Sequence, residues 1–256
     1  GQLGSGNRSD TIIIASINND TKEVKLVSVY RDTYLDLTNG KFNKCNGAYS
    51  AGGPQQAMSM LNKNLDLDIQ YYISVDFAAM TKAIDLLGGI DIDVDDAEIE
   101  HLNNYIVETS EVTGVKTTPL TKTGLQTLDG VQATSYCRIR YTASLDMGRT
   151  ERQRRVIQMI VDKAKKAGLS TIFDIMDQVF PLITTSISKT ELLNMVPSLI
   201  GYNIADTTGF PSKYKFADVK NASMVVADTL EENVKELHAF LYGADESYEP
   251  SQNIIE

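Results

Sequence analysis

Six of the eight arginines of this chain lie in one stretch of 22 residues, SYCRIRYTASLDMGRTERQRRV, which runs from position 135 to 156. They are Arg138, Arg140, Arg149, Arg152, Arg154 and Arg155. The chain as a whole is acidic, with a net charge of −10, which argues against a broad nucleic-acid-binding surface. Guanidinium groups match phosphate oxygens bidentately and keep their charge, so this focal positive charge favours a site for a small anion.

The later arginines of the stretch belong to a predicted long helix over 148–167. Arg149, Arg152 and Gln153 stand at i, i+3 and i+4, so they share one face close to the helix start, where free N–H groups also attract anions. We expect Arg149 to join Arg138 and Arg140 at the anion. The alternative for helical arginines is a solvated or locally paired surface charge. We assign that alternative to the last two of the stretch and leave Arg152 open.

A second group of charged residues flanks a predicted hairpin. NRSDT precedes the apolar run TIIIASI, and YRDT follows the run EVKLVSV, with a short polar turn between the two runs. Pairing as a hairpin would bring Arg8 and Asp10 beside Arg31 and Asp32, because the start of the first strand faces the end of the second. These charges could simply cap the hairpin and pair across it. Carboxylates beside arginines also suit a phosphate bound with a divalent cation.

Other residues that could do chemistry give weaker signals. The acidic run over 91–98 lacks the glycine and glutamate spacing of a calcium loop, and His101 and His238 are isolated. No nucleophile elbow, Walker A loop or zinc-protease motif is present. Cys45 and Cys137 stand at no metal-ligand spacing, and the sequence leaves open whether they form a disulfide.

The 256 residues are enough for one large α/β domain, and no run of 18 or more apolar residues predicts a membrane span. We expect the first strand to be central in a covered sheet and residues 100–125 to form an exposed excursion. The pattern predicts strands at 11–17, 23–29, 70–75, 90–94 and 223–227, and helices at 54–64, 76–87, 128–136, 148–167, 170–183, 189–202 and 228–242.

Six motifs in order resemble the LytR-CpsA-Psr family of cell-wall proteins: RSDTIIIASIN, VYRDTYLDL, KCNGAYSAGG, YYISVDFAAMTKAIDLLGGIDIDV, LDGVQATSYCRIRY and DMGRTERQRRV. The close resemblance covers residues 7–167, and ASMVVADTLEENVKELHAFLYG is similar to the C-terminal segment of some Gram-positive members. It implies a three-layer α/β/α sandwich with a mixed central sheet. It also implies a single domain over 1–243, with a C-terminal extension over 168–243. The polar sequence that follows predicts a flexible tail over 244–256.

The resemblance also implies a function. Family members transfer glycopolymers such as teichoic acid or capsular polysaccharide from a polyprenyl-pyrophosphate carrier to a muramic acid hydroxyl of peptidoglycan, with Mg²⁺ as cofactor. They work at the extracellular face of the cytoplasmic membrane, held there by an N-terminal helix, so the resemblance implies an anchoring helix ahead of residue 1. The similarity of the C-terminal segment to Gram-positive members implies a Gram-positive bacterium. A strand carrying a further aspartate also usually precedes the RSDT segment. Nucleic acid is not an expected partner.

Carried over to this sequence, the resemblance assigns roles to individual residues. Arg31 and Asp32 are implied as catalytic, with Asp10 and Asp32 both open as the group that receives the hydroxyl proton. The implied pyrophosphate-binding residues are Arg8, Lys44, Asn46, Arg138, Arg140, Arg149 and Gln153. The implied metal-binding residues are Asp10 and Asp146.

Two alternative functions remain at this point. A hydrolase of polyprenyl pyrophosphates would use the same site with water as the acceptor. A non-enzymatic binding or regulatory protein of the cell envelope is the other alternative, but direct DNA binding fits poorly with the acidic charge and the absence of a helix-turn-helix pattern.

Overall fold

The computed structural model describes residues 8–140, 145–219 and 221–255 of the chain. The chain forms two compact units. Among the described residues, one unit contains the chain up to Tyr72 together with the part from Asn203 onward, and the other lies within Ile73–Tyr202. The single domain over 1–243 stays a prediction.

The first unit contains a mixed sheet of three strands in the order β1-β2-β9. Strands β1 (Ile12–Asn18) and β2 (Glu23–Val29) form the predicted antiparallel hairpin, and β9 (Asn203–Phe210) pairs with β2 in parallel. Within the described part of the chain, β1 is therefore an edge strand, and only Ile14 is buried along it. The expectation that β1 is central was wrong, because β9, which joins from the far end of the sequence, places β2 in the middle.

The other elements of the first unit lie between β2 and β9 in the sequence, or after β9. They are β3 (Tyr34–Asp36), β4 (Phe42–Lys44), α1 (Gly47–Leu65), β10 (Tyr214–Val219), β11 (Ala222–Ala227), α8 (Leu230–Tyr242) and α9 (Gln252–Ile255). Strands β3 and β4 pair with each other, as do β10 and β11. Helix α1 bends at Gly52 and Gly53, and the part after the bend begins at Pro54, where the sequence predicts a helix.

The C-terminal tail packs against the first unit instead of fraying. Ile254 is buried in the same hydrophobic cluster as Leu65. The ring of Tyr248 stacks on that of His238, with centroids 4.1 Å apart, and its hydroxyl donates to Asp66 Oδ2 at 2.9 Å. These contacts differ from the flexible tail that the polar sequence over 244–256 predicts.

The second unit alternates strands and helices. Its elements are β5 (Ile73–Val75), α2 (Phe77–Leu86), β6 (Ile90–Val94), α3 (Asp96–Thr113), β7 (Gly124–Leu128), α4 (Gly130–Tyr136), α5 (Leu145–Ala167), α6 (Leu169–Val179), β8 (Ile183–Thr185) and α7 (Lys189–Leu199). Strand β5 pairs with β8, and β6 with β7, both antiparallel. The predicted helices are all present here, although the boundaries of several move by a few residues.

Helix α3 corrects the prediction of an exposed excursion over 100–125. Asp95 and Glu98 form a reciprocal capping box at its start, and Leu102 and Ile106 are buried in the core of the second unit. The helix ends at Gly114, in the left-handed conformation, and only the residues between it and β7 form a loop. The helix was not predicted because its buried apolar residues, such as Leu102 and Ile106, are few among polar neighbours.

Candidate functional site

Four charged residues form an ionic cluster in the first unit, beyond the end of β2. Arg31 Nη1 lies 3.2 Å from Asp10 Oδ1, and Arg31 Nε lies 3.9 Å from Asp32 Oδ1. Lys44 Nζ approaches the same Asp32 oxygen at 3.2 Å. The hairpin therefore brings Asp10, Arg31 and Asp32 together as its strand ends predict, and β4 adds Lys44.

Backbone hydrogen bonds fix the loop that carries Arg31 and Asp32. The Asn46 N–H donates to the Arg31 carbonyl at 3.2 Å, and the Val225 N–H donates to the Asp32 carbonyl at 2.9 Å. The neighbouring Thr33 is completely buried. Both charged side chains thus start from a backbone that is held on two sides, which preorganises them for a ligand.

Two other predicted binding residues of this unit differ in their surroundings. Asn46 is buried at the start of α1, and its Oδ1 atom accepts no hydrogen bond from the residues that the structure describes. A buried acceptor of this kind is a group that a bound ligand can satisfy. Arg8 is exposed, two residues before Asp10.

The second unit positions Arg138 directly after α4. Its Nη1 donates to Thr109 Oγ1 at 3.0 Å, and its Nη2 lies 2.6 Å from Glu108 Oε2. The guanidinium also lies over the rings of Phe77 and Tyr105, at 4.8 and 4.9 Å from their centroids. These contacts hold the guanidinium in one place. The side chain of Glu108 is 60% exposed, so a phosphate could replace its carboxylate as the partner of Arg138.

The start of α5 carries the other arginines. Because the helix begins at Leu145, Arg149 lies in its second turn instead of its first, and its side chain is buried. Gln153 Nε2 donates to the Cys137 carbonyl at 3.3 Å. Arg140 is half-buried, and the side chain of Asp146 lies outside the described residues.

The remaining arginines of the stretch are now distinguished from one another. Arg152, which the sequence left open, forms a buried ion pair with Glu98, at 2.7 Å from Nε to Oε1. Arg155 is exposed, as expected of a surface charge, and donates to the Tyr136 hydroxyl at 3.2 Å. Arg154 is half-buried.

No group of three or more histidine, cysteine, aspartate or glutamate side chains able to hold a metal occurs within residues 8–140, 145–219 and 221–255. In the acidic run before α3, Asp95 caps that helix and Asp91 accepts a hydrogen bond from Thr127 at 2.6 Å. Asp10, with 42% of its side chain exposed, remains accessible as a single carboxylate ligand. Such a site suits Mg²⁺ bound mainly by substrate phosphates and water.

Both cysteines are buried free thiols. Burial raises the pKa of Cys45 and of Cys137 to about 12, since the charged thiolate loses its hydration. The disulfide that the sequence left open is therefore not formed in this structure, and neither thiol is a reactive nucleophile.

The sequence predicts that the loop over 31–53, the segment over 136–140 and the start of α5 bind one pyrophosphate, with Arg31 within about 15 Å of Arg140. The two clusters belong to different units, and their convergence stays a prediction. The roles assigned to the individual site residues also stay predictions.

The mixed sheet, with one arginine, one lysine and two carboxylates beyond the end of its central strand, defines an α/β protein with a candidate anion site. The model of the LytR_cpsA_psr family matches residues 2–239. The chain therefore belongs to the LytR-CpsA-Psr family, and the mixed α/β fold that the motifs implied is confirmed.

Two curated relatives carry names of teichoic acid transferases. A polyisoprenyl-teichoic acid–peptidoglycan teichoic acid transferase, TagU of Enterococcus faecalis, is 39% identical over 158 residues, which are 61% of this chain and 47% of the relative. TagV of Bacillus subtilis, a transferase of the same description, is 30% identical over 205 residues, 78% of this chain and 50% of the relative. The chain thus spans about half the length of these curated relatives.

A solved structure supports the fold. TagT, the YwtF protein of Bacillus subtilis, with bound octaprenyl pyrophosphate lipid, aligns with a TM-score of 0.69 and 22% identity. The alignment covers 91% of this chain and 85% of that one. Among the residues described for this chain, no helix has both the length and the hydropathy to cross a membrane.

Proposed function

We propose that this chain transfers a glycopolymer, such as teichoic acid, from a polyprenyl-pyrophosphate carrier to peptidoglycan at the cell envelope. Membership of the LytR-CpsA-Psr family and the names of the relatives support this assignment. The observation that carries it is the position of Arg31, held between Asp10 and Asp32 beyond the end of β2. This arrangement offers a fixed cation and two carboxylates to one phosphoryl group.

The reaction needs one bond to form and one to break. A peptidoglycan hydroxyl oxygen attacks the phosphorus that bears the glycan, and the bond from that phosphorus to the bridging pyrophosphate oxygen breaks. Polyprenyl phosphate leaves with the electron pair, and the glycan becomes joined to peptidoglycan by a phosphodiester. The hydroxyl proton passes to a carboxylate, for which we propose Asp32.

The side chains of this chain stabilise charge instead of forming a covalent intermediate. Arg31 Nη and Nε groups donate to the non-bridging oxygens of the phosphoryl group, where negative charge increases during transfer. Lys44 Nζ stands 3.2 Å from Asp32 Oδ1, so it holds that carboxylate in one orientation beside Arg31. Arg138, Arg140 and Arg149 bind the leaving phosphate.

We also propose that Mg²⁺ takes part. Asp10 would supply one carboxylate ligand and Asp146 a second, and substrate phosphates and water would supply the other ligands. When bound, Mg²⁺ adds positive charge at the pyrophosphate and so favours departure of polyprenyl phosphate. Glycopolymer carriers are membrane lipids, so we place the protein at the outer face of the cytoplasmic membrane, tethered by a helix that precedes residue 1.

The experiment combines the chain with a polyprenyl-pyrophosphate-linked teichoic acid, Mg²⁺ and peptidoglycan oligomers, and detects products by mass spectrometry. A glycan–peptidoglycan conjugate that disappears with Arg31→Ala supports the proposal. The matched control is Lys189→Ala, which removes an exposed cation paired with Asp177 in the second unit. Free phosphorylated glycan without conjugate identifies a hydrolase, and unchanged lipid substrate excludes both reactions.

A further inference from the structure

Arg152 lies three residues after Arg149 on α5, but it is not directed to solvent. Its Nε donates to Glu98 Oε1 at 2.7 Å, and only 10% of the arginine side chain and 8% of the glutamate side chain are exposed. A guanidinium buried against a carboxylate is already neutralised. It is therefore a poor candidate for an additional phosphate ligand.

The partner of Arg152 is itself fixed on α3. Glu98 Oε2 accepts from the Asp95 N–H at 3.3 Å, while the Glu98 N–H donates to Asp95 Oδ1 at 2.8 Å. This capping box places the Glu98 carboxylate at the positive end of the helix. Arg152 is thus attached to a rigid point outside the arginine-rich stretch.

The other end of the guanidinium reaches the backbone between two predicted pyrophosphate ligands. Arg152 Nη1 donates to the Ile139 carbonyl at 3.4 Å. That carbonyl belongs to the peptide group that continues into Arg140, so its orientation sets the direction in which the Arg140 side chain leaves the chain. The next residue of α5, Gln153, donates to the Cys137 carbonyl at 3.3 Å. Consecutive side chains of α5 therefore hold the carbonyls on both sides of Arg138.

A buried ion pair adds little to stability compared with well-packed apolar residues of similar size, because desolvation of both charges offsets their attraction. An apolar pair would, however, not supply the hydrogen bond from Arg152 to the Ile139 carbonyl. We infer that Arg152, paired with Glu98, is a positioning residue that sets the backbone from 137 to 140 so that Arg138 and Arg140 point at the pyrophosphate. This inference rests on the proposed function for the identity of the ligand, but not for the geometry of the segment.

The test replaces the whole ion pair and keeps the volume. In the double variant Arg152→Met with Glu98→Leu, no buried charge remains, and the urea midpoint should equal or exceed that of the unchanged chain. The Ile139 carbonyl loses its side-chain donor. The matched control, Lys189→Met with Asp177→Leu, removes an exposed pair of similar length, 2.6 Å, elsewhere in the same unit.

Two measurements are made on each variant. Amide hydrogen exchange should become about tenfold faster over residues 137–140 in the double variant alone, because that segment opens locally while the rest stays folded. Affinity for octaprenyl pyrophosphate should fall about tenfold, because the two arginines are no longer preorganised. A purely structural role predicts that both properties return to normal once stability is restored.

A double variant that is as stable as the unchanged chain and keeps both its exchange rate and its affinity would overturn the inference. If the double variant does not fold, Arg152→Lys provides the same test, because an ammonium keeps the charge beside Glu98 but lacks the planar fork with which Arg152 donates to Glu98 through Nε and to Ile139 through Nη1. Failure of the unchanged chain to bind octaprenyl pyrophosphate would count against the proposed function, and the exchange rates would still decide the positioning role.

Discussion

Gly130, the first residue of α4, lies too close to α2 to accept a side chain, and we predict that its replacement by alanine destabilises the fold. A Cβ atom at this position would lie 2.2 Å from the Thr81 carbonyl oxygen and 2.9 Å from Asp85 Oδ1. The Gly130 N–H donates to that same Asp85 oxygen at 2.7 Å. Helix α4 can approach α2 so closely only because residue 130 has no side chain.

The expected cost of Gly130→Ala follows from these contacts. Forcing a methyl group into a packed contact costs about 1–3 kcal/mol. Lengthening of the hydrogen bond to Asp85 adds about 1 kcal/mol, so the free energy of unfolding should fall by roughly 2–4 kcal/mol. For a chain of this size, a loss of about 3 kcal/mol lowers the melting temperature by roughly 6–12 °C.

Urea unfolding at 25 °C, followed by circular dichroism, measures this change. Gly201→Ala is the matched control, since a Cβ there would meet its nearest neighbour, the Ser198 carbonyl oxygen, at an ordinary 3.4 Å. A Gly130→Ala chain with the same unfolding free energy as the Gly201→Ala chain would refute the close packing of α4 on α2.

Three further predictions concern charge, a buried amide and the thiols. Arg31→Met should reduce glycopolymer transfer by about 10²–10³-fold. Its partly exposed ion pairs should contribute less than about 1 kcal/mol to stability, so the two losses can be separated by unfolding and rate measurements on the same sample. Asn233→Leu should cost about 2–4 kcal/mol in urea unfolding, because the buried amide bonds both the N–H and the carbonyl of Lys213; an unchanged midpoint would contradict this. Because the pKa of each buried thiol is raised, the folded chain keeps protons that the unfolded chain loses above about pH 9. The free energy of unfolding should therefore fall by about 1.4 kcal/mol per pH unit for each thiol as the pH rises from about 9 towards 12. A chain with Cys45→Ala and Cys137→Ala should show a shallower fall, and equal slopes would exclude the thiols as the cause.

Local patterns in the sequence predicted the elements that depend on neighbouring residues. The β1–β2 hairpin, α2 after the Asp76 cap and the alternating strand β6 agree with their predictions, since apolar period, capping residue and turn occur within a few positions. Strand β9 was missed because NIADTTGF has little alternation and gains its stability by pairing with β2, roughly 180 positions earlier in the chain.

The candidate site shows the same division. The sequence predicted that Asp10 lies beside Arg31 and Asp32, because a hairpin determines which strand ends meet. The pairing of Arg152 with Glu98 spans 54 positions and depends on how α3 and α5 pack, which the sequence had not revealed once α3 was missed. The capping box formed by Asp95 and Glu98 was the signal that could have identified the helix.

The packed tail determines how far the chain can be shortened before it loses part of its core packing. A chain that ends at Gly243 looks complete from its helix pattern, but it would lose the ring stacked on His238 and the side chain of Ile254, which covers part of the core near Leu65. The carboxylate of Asp66 would also lose the Tyr248 hydroxyl and the Ser251 N–H that now donate to it. A shortened chain made for expression should therefore include Ile254. A fusion partner attached before this residue would put linker residues where the tail now packs.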